Sequence, residues 1–328
     1  MLSTYAAVSN KFSHYKSMVT LAATSNPSAK SPTVEPSPRS VRNHGTDYMN
    51  TFNTIELGDN REPYGVAVSP DGKRVYVTTL FRGTVEVIDT ATNSVVTSVR
   101  VGGIATGVSV TPDGKYVYIG EGHGHIYAMN TSTFTLTTVL ASSNYPGKDV
   151  AVTPDGRYLY ALDNVFNEIL VIRTDTRAIA ATITLDEAPQ SITIARSSGL
   201  AYVGTDTASK APSGSVTLID TAIHMIVDTI PLADGVKSMF LASDENHVYA
   251  VTDTAAVAFD TATHTLVNST PLRKSPEGVA ITPDGRYAYI ANSSGSPAAV
   301  LTRVHLSESL QTSTLERRGV QPSIGAQK

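Results

Sequence analysis

Apolar and polar positions alternate along the chain in short runs, and these runs are separated by residues that favour turns. Within the unit that spans residues 63–103, Arg74–Thr78 and Thr84–Asp89 alternate β-branched or aromatic residues with polar ones. Pro70-Asp71-Gly72 separates Arg74–Thr78 from the preceding apolar run, Gly65–Ser69. Alternation with a period of two predicts β-strands, and the Pro-Asp-Gly sequence favours a tight turn. The unit therefore predicts four antiparallel strands, which we denote A (65–69), B (74–78), C (84–89) and D (94–101).

The same unit recurs along most of the chain. Its strand B carries a tyrosine that returns at spacings of 42, 42, 42, 47 and 40 residues: Tyr76, Tyr118, Tyr160, Tyr202, Tyr249 and Tyr289. A repeat of about 40–50 residues with four strand signals in each copy is typical of a β-propeller. We therefore expect an all-β propeller of four-stranded antiparallel blades around a central channel, with the tyrosines packed between blades.

The repeats resemble those of a known family. The start of the unit, Gly65–Gly72, returns as Gly107–Gly114, Asp149–Gly156, Ser191–Gly199, Ser238–Asn246 and Gly278–Gly285. Together with Tyr76-Val-Thr-Thr79 and Tyr289-Ile-Ala-Asn292, these sequences resemble the YVTN-type β-propeller family over residues 46–305. The resemblance implies the propeller fold. It implies no single activity, because the family includes surface-layer-type proteins and relatives of lactonases, lyases and amine dehydrogenase subunits.

Strand-like segments near both ends of the chain bear on how the ring closes. Residues 4–10, 17–22 and 50–57 read as strands B, C and D, residues 309–315 as the end of the sixth blade, and residues 319–326 as a further strand A. We therefore predict seven blades in a single domain, residues 1–328, with strand A of the closing blade from the C-terminal segment. The Pro- and Ser-rich residues 23–49 then form an insert within that blade. The alternative has six blades, with residues 50–57 closing the last one.

Composition narrows the function classes. The net charge is −4, no basic block is present, and the chain of 328 residues contains no cysteine. Nucleic-acid binding is therefore disfavoured, and thiol catalysis and cysteine-ligated metals are excluded. No segment approaches the roughly 20 apolar residues of a membrane span, and the first residues do not read as a signal peptide. We expect a soluble monomer and leave the compartment open, with the cytoplasm as the default.

One repeat departs from the others at Gly120–His125. Glu121 stands where another repeat has Thr79, and His123 and His125 lie two residues apart, so that both rings share one face of an extended strand. Two imidazoles and a carboxylate are suitable ligands for zinc or another divalent cation. The segment therefore predicts a metal site at Glu121, His123 and His125. The alternative is a glycine-rich loop with solvent-exposed histidines, and no cofactor is certain.

A second set of polar residues is expected at one end of the channel, where the loops between strands B and C and between D and A converge. It comprises Glu62, Arg82, Lys148, Asp149, Asp163, Gln190, Asp206, Lys237, Asp253 and Glu277. Such a ring of mixed charge suits a small polar molecule. The alternative is that residues near strand ends are polar without any ligand.

Two functional hypotheses follow from these residues. The first is a scaffold that binds a small polar ligand or a protein partner at the channel mouth. The second is an enzyme of the lactone hydrolase, lyase or cyclase type, with Glu121, His123 and Asp163 as catalytic residues, because close carboxylates and imidazoles can act as acid and base. Whether the protein is an enzyme stays open at this point.

Overall fold

A computed structural model defines the architecture. It describes residues 52–57, 62–141, 147–206, 214–242, 245–252, 255–271, 278–284, 287–292 and 300–305. The chain divides into two compact units, Met1–Tyr48 and Met49–Lys328, and every described residue belongs to the second. No helix in the described ranges has the length and apolar character that crossing a membrane requires.

The described residues form 24 strands. The first twelve are β1 (Phe52–Glu56), β2 (Pro63–Val68), β3 (Arg74–Thr79), β4 (Thr84–Asp89), β5 (Ser94–Arg100), β6 (Ala105–Val110), β7 (Tyr116–Glu121), β8 (His125–Asn130), β9 (Leu136–Ala141), β10 (Gly147–Val152), β11 (Tyr158–Asp163) and β12 (Glu168–Arg173). The others are β13 (Ile179–Thr184), β14 (Ala188–Ile194), β15 (Leu200–Asp206), β16 (Gly214–Asp220), β17 (Met225–Leu232), β18 (Val236–Leu241), β19 (His247–Thr252), β20 (Ala255–Asp260), β21 (Leu266–Pro271), β22 (Gly278–Ile281), β23 (Tyr287–Asn292) and β24 (Val300–His305).

These strands pair into six four-stranded antiparallel sheets within the described ranges. Five sheets consist of consecutive strands, β2–β5, β6–β9, β10–β13, β14–β17 and β18–β21, and the sixth has the order β22-β23-β24-β1. We number the sheets one to six in that order. The predicted all-β propeller with four-stranded antiparallel blades is confirmed, and the strand bounds in the first sheet differ from the predicted ones by at most two residues.

The Pro-Asp-Gly turns form for the local reasons that their sequence suggests. In the first sheet, Gly72 has a φ of 71°, a left-handed conformation that glycine adopts without steric cost. Asp71 Oδ1 accepts hydrogen bonds from the Ser69 hydroxyl at 2.6 Å and from the Lys73 amide at 3.1 Å. Asp113 and Asp155 repeat this pattern in the next two sheets. The turn aspartates are therefore structural.

Packing between neighbouring sheets explains the recurring tyrosines. Tyr160 of β11 is fully buried in a cluster that combines Val171 of the third sheet with Ile192 and Val203 of the fourth. Burying such an aromatic side chain contributes about 2–3 kcal/mol to folding. The tyrosines thus hold successive sheets together, as the sequence predicts.

The prediction of a seventh blade is wrong. Strand β1 pairs directly with β24, with Phe52 opposite Val304, so it forms the outer strand of the sixth sheet. Ile55 and Tyr289 of the sixth sheet share an apolar cluster with Val77 of the first, and β2 contacts β22. Because these two sheets pack directly against each other, no room remains between them for another sheet. Residues 4–10, 17–22, 23–49, 309–315 and 319–326 lie outside the described residues.

A β-bulge near its beginning is common to five of the innermost strands. The register shifts between Pro63 and Val66 in β2, Ala105 and Val108 in β6, Gly147 and Val150 in β10, Pro189 and Ser191 in β14, and Val236 and Ser238 in β18. A bulge inserts an unpaired residue and re-aims side chains. Each strand therefore presents one or two unpaired residues at the same end of the ring.

A candidate ligand site at the channel mouth

The innermost strands enclose a channel with a volume of about 290 Å³, close to the lower limit for small-molecule sites. Most of its wall consists of small or apolar residues of β2, β6, β10, β14 and β18. Polar and aromatic side chains enter the wall at the bulges, where Tyr64, Asp149, Gln190 and Lys237 line the channel. Three of the predicted ligand-binding residues, Asp149, Gln190 and Lys237, are therefore brought together.

Asp149 occupies a repeat position that elsewhere holds glycine or serine. The corresponding residues are Gly65, Gly107, Ser191, Ser238 and Gly278. Asp149 Oδ1 accepts a hydrogen bond from the Val150 amide at 2.9 Å. Its Oδ2 accepts one from the Ser191 hydroxyl and one from the Ile192 amide, both at 3.1 Å. The carboxylate of β10 thus binds the neighbouring innermost strand, β14.

This position makes Asp149 a weaker acid than an exposed aspartate. Burial among the innermost strands raises its pKa from 3.8 to about 6, although the hydrogen bonds from Ile192, Val150 and Ser191 and the charge of Lys148 act in the opposite direction. The residue is half-buried, because solvent reaches it along the channel. Near neutral pH it can therefore exchange a proton with a ligand or with water.

The space that Asp149 fills exists because residue 107 is glycine. A Cβ atom built on Gly107 would overlap Asp149 at both its Cα atom and its Oδ1 atom. The second sheet thus has no side chain at this point of the channel wall. The acid at position 149 and the glycine at position 107 are a matched pair across the junction between the second and third sheets.

Lys148, the other bulged residue of β10, reaches towards the first sheet. Its Nζ atom lies 5.0 Å from the centroid of the Tyr64 ring, a cation–π distance. Because Lys148 belongs to the third sheet and Tyr64 to the first, this contact passes the intervening second sheet. The two side chains therefore meet at the channel mouth from different sheets.

Lys237 is the bulged residue of β18 and forms an ion pair at the mouth. Its Nζ atom lies 2.9 Å from Asp206 Oδ2. A Cβ atom on Gly235 would overlap the Asp206 carboxylate, so this glycine makes room for the acid. The predicted member Asp206 thus lies beside the channel residue Lys237 and balances its charge.

Hydrogen bonds between neighbouring sheets fix the mouth. The Ser191 hydroxyl, which donates to Asp149, also accepts a hydrogen bond from the Met239 amide at 3.0 Å. On the other side, the Thr106 hydroxyl of β6 donates to the Gly147 carbonyl of β10. These contacts join β6, β10, β14 and β18 through buried polar groups. The site is therefore held by the scaffold rather than by loops alone.

Glu121, His123 and His125 form a separate cluster at the turn between β7 and β8. Glu121 is buried, and its Oε1 accepts hydrogen bonds from the Ile104 amide at 3.0 Å and from His123 Nδ1 at 2.5 Å. Its Oε2 accepts from the His123 amide at 3.0 Å and from His125 Nδ1 at 3.2 Å. The carboxylate already has four partners.

The electrostatics of this cluster follow from those contacts. Burial raises the pKa of Glu121, but the hydrogen bonds from the His123 ring and from the amides of Ile104 and His123 outweigh it, so that the pKa lies below its usual value. The carboxylate is therefore ionised near neutral pH. The side chains of His123 and His125 are 60% and 39% exposed, and neither lines the channel.

The predicted metal site is not preassembled in this geometry. Each histidine turns its Nδ1 towards a carboxylate oxygen of Glu121. Within the described ranges, no group of three or more histidine, cysteine, aspartate or glutamate side chains has an arrangement that could hold a metal ion. Metal binding and catalysis by Glu121 and His123 stay predictions.

Asp163 occupies the same position at the end of β11 as Glu121 does at the end of β7, since they pair with Gly147 and Ala105, the first residues of their neighbouring strands. Asp163 Oδ1 accepts hydrogen bonds from the Val165 and Phe166 amides at 2.8 and 3.0 Å, while Oδ2 is buried without a hydrogen-bond partner. Burial, with a smaller contribution from the Glu168 charge, raises the pKa of Asp163. Its geometry is that of a turn cap.

The remaining predicted residues do not join the channel site. Glu62 is half-buried and Arg82 exposed, and neither lines the channel. Glu277 and Asp253 lie outside the described residues.

Tyr64 and Ser191 contribute to the mouth but are not among the residues predicted from the sequence. The alignment of the repeats could have indicated both. Tyr64 directly precedes the first glycine of its repeat, and Ser191 occupies the same repeat position as Asp149. Their roles depend on the bulges, which the repeat pattern does not reveal.

Comparison with known proteins supports the architecture. No protein-family model matches the chain, and no curated protein matches it. Among solved structures, a chain of Kuenenia stuttgartiensis hydrazine synthase is similar, with a TM-score of 0.61 and 20% sequence identity over 76% of this chain and 77% of that chain. At this identity the likeness shows the fold alone, and the fold of this chain is a β-propeller.

Proposed function

We propose that the protein is a YVTN-type propeller that binds a small polar molecule at the channel mouth. The observation that carries the proposal is the set of bulges, which brings Tyr64, Asp149, Gln190 and Lys237 to one end of the channel. Bulges are over-represented next to functional sites because they re-aim side chains.

The charges at the mouth restrict the ligand. Lys148 and Lys237 carry positive charge, and Asp206 and the ionised Asp149 carry negative charge, so the site is close to neutral. It therefore favours a ligand with both hydrogen-bond donors and acceptors, such as a hydroxy acid or an amino acid, over a simple anion. Because hydrogen bonds between sheets hold Asp149 in place, little ordering is required on binding.

A panel of small hydroxy acids and amino acids, screened by isothermal titration calorimetry, tests the proposal. At least one member should bind the native protein. Lys148→Met and Gln190→Leu should weaken that binding roughly tenfold, the loss expected when a polar contact is removed. His123→Ala is the matched control, because its exposed ring lies outside the channel wall, and it should leave the affinity unchanged. If Lys148→Met and Gln190→Leu bound the ligand as tightly as His123→Ala and the native protein do, a site at the mouth would be contradicted.

The alternative function, an enzyme of the lactone hydrolase, lyase or cyclase type, gains support from Asp149. A pKa of about 6 suits a general acid or base near neutral pH, and Asp149 lines the channel. If the ligand is turned over, Asp149→Asn should abolish turnover and retain binding. Turnover that persists in this variant would remove Asp149 from the reaction.

A further inference from the structure

A second cavity lies on the opposite side of the ring from the bulges, where the Pro-Asp-Gly turns are. It occupies the junction between the sixth and first sheets and has a volume of about 370 Å³. Its walls are Pro70, Asp71, Gly72, Thr90, Thr282, Pro283, Asp284, Tyr287 and Tyr289. Its walls share only Pro70 with the channel wall and no residue with the channel mouth.

At the junction between the third and fourth sheets, a histidine side chain occupies the equivalent place. There, the His224 ring packs edge-on against Tyr158, with ring centroids 4.6 Å apart, and lies 5.9 Å from the Tyr160 ring. Its Nδ1 atom is 2.6 Å from the Tyr160 hydroxyl. The imidazole of the fourth sheet is thus held by two tyrosines of the third.

The repeats place the same two tyrosines at the cavity but a smaller residue opposite them. Tyr287 and Tyr289 correspond to Tyr158 and Tyr160, since both pairs follow a Thr-Pro-Asp-Gly-Arg sequence. Asn93 corresponds to His224, since each directly follows an Asp-Thr-Ala-x sequence and the two have φ values of 53° and 57°. The closing junction therefore has the tyrosine pair without the imidazole.

The other described junctions also carry a larger side chain at this turn position. In the second sheet it is Phe134, which packs on the apolar cluster that contains Tyr76, and in the third sheet it is Arg177. In the fifth sheet it is His264, whose ring lies 6.3 Å from that of Tyr202. Asparagine is the smallest residue of this set, so the closing junction has the shortest side chain at this repeat position.

The spacing of the sheets does not explain the cavity. A Cβ atom on Gly72 would lie 3.7 Å from Pro283 across the closing junction. The equivalent distances, Gly114 to Pro70 and Gly156 to Pro112, are also 3.7 Å at the next two junctions. At this contact the sixth and first sheets are therefore as close as the other two pairs of neighbours, whereas the side chain at position 93 is shorter than its counterparts.

We propose that this cavity binds a small molecule that carries an imidazole ring. The ring takes the place that the His224 side chain has at the equivalent junction, packing on Tyr287 and hydrogen-bonding the Tyr289 hydroxyl. The carboxylates of Asp71 and Asp284 in the cavity wall give the second ring nitrogen an acceptor. The volume of the cavity accommodates the ring together with a short substituent.

Isothermal titration calorimetry of the full chain with imidazole tests the proposal. The native protein should bind imidazole saturably at one site. Asn93→His, which supplies the missing ring from the chain itself, should abolish that binding. His224→Asn is the matched control: it opens the equivalent place at the third junction and should raise the stoichiometry from one to two.

Two outcomes would overturn the proposal: no saturable binding to the native protein, or unchanged binding in Asn93→His. If Asn93→His does not fold, Tyr289→Phe provides the second variant, and it should weaken binding roughly five- to tenfold through loss of one hydrogen bond. Titration with N-acetylhistidine methylamide separates a free small molecule from a histidine of a peptide. Tighter binding of that blocked residue than of imidazole and histamine would overturn the assignment to a small molecule.

Discussion

Two sets of carboxylates lie near the same end of the ring and differ in what they bind. Glu121 and Asp163 end their strands and accept hydrogen bonds from amides of the turns that directly follow. Asp149 lies in a bulged innermost strand and accepts hydrogen bonds from Ser191 and Ile192 of the next sheet. An acid at a strand end thus stabilises its own turn, whereas an acid on a bulge links two sheets and faces the channel.

The threonines at the equivalent strand ends support this distinction. Thr79 Oγ1 accepts a hydrogen bond from the Thr84 amide, and Thr252 Oγ1 accepts one from the Ala255 amide. A neutral hydroxyl therefore caps the same turn in the first and fifth sheets. A negative charge at the position of Glu121 is therefore not required to cap this turn.

The largest effect is expected for Asp149→Ala. Removing the carboxylate leaves the amides of Val150 and Ile192 and the Ser191 hydroxyl without this acceptor, so the free energy of unfolding should fall by about 2–4 kcal/mol. Urea denaturation measures the change. Asp149→Asn, which keeps one acceptor oxygen, should lose less. A native-like stability of Asp149→Ala would mean that water in the channel replaces the carboxylate.

The second largest effect is expected in the pH dependence of stability, which should distinguish Asp149 from the carboxylates at the strand ends. The pKa of Asp149 is raised to about 6 in the folded protein, so the folded state holds this proton more tightly than the unfolded state does. The contribution of Asp149 to stability is therefore greatest below about pH 4 and is lost as the pH rises through about 6. The difference in stability between the native protein and Asp149→Asn, followed from pH 4 to 8, measures it. A difference that does not change with pH would contradict the raised pKa.

A smaller effect is expected for Glu121→Ala, which removes the cap of the turn between β7 and β8. The free energy of unfolding should fall by about 1–2 kcal/mol, since the amides of Ile104 and His123 lose their acceptor. Glu121→Thr, which restores the residue of the first and fifth sheets, should recover part of that loss. Ligand binding at the mouth should not change in either variant, and a loss of binding would return Glu121 to the candidate site.

The smallest effect is expected for the double variant His123→Ala, His125→Ala. Both rings are well exposed, so their contacts with Glu121 are open to solvent and stability should change by less than about 1 kcal/mol. Elemental analysis of the purified native protein and of the variant provides the functional readout. A stoichiometric metal that is lost in the variant would overturn the interpretation of this segment as a capped turn.

The sequence predicted most of the fold because the determinants are local. Strand alternation, the Pro-Asp-Gly turns and the spacing of the tyrosines each depend on a few neighbouring residues. The seventh blade was predicted from segments that look like strands, but pairing partners depend on contacts between distant residues. The register of β1 against β24 could not be obtained from alternation alone.

The candidate site was predicted only in part for a similar reason. Alignment of the repeats predicts that Lys148, Asp149, Gln190 and Lys237 converge at the channel mouth, and in the structure all four are bulged residues. A bulge arises from the pairing of two strands, so the sequence of one strand does not specify it. The spacing of His123 and His125 predicts that they share a face, but it does not specify that both Nδ1 atoms point to the Glu121 carboxylate.

The pairing of β1 with β24 also has a consequence for the order of folding. It joins residues about 250 positions apart, whereas every other strand pair in the described ranges links consecutive strands. Contacts between such distant residues close a large loop and slow folding, so the sixth sheet should be completed last. Phe52 lies opposite Val304 at adjoining ends of the two strands. A circular permutant that connects them through a short turn would convert this slow step into the formation of a local hairpin.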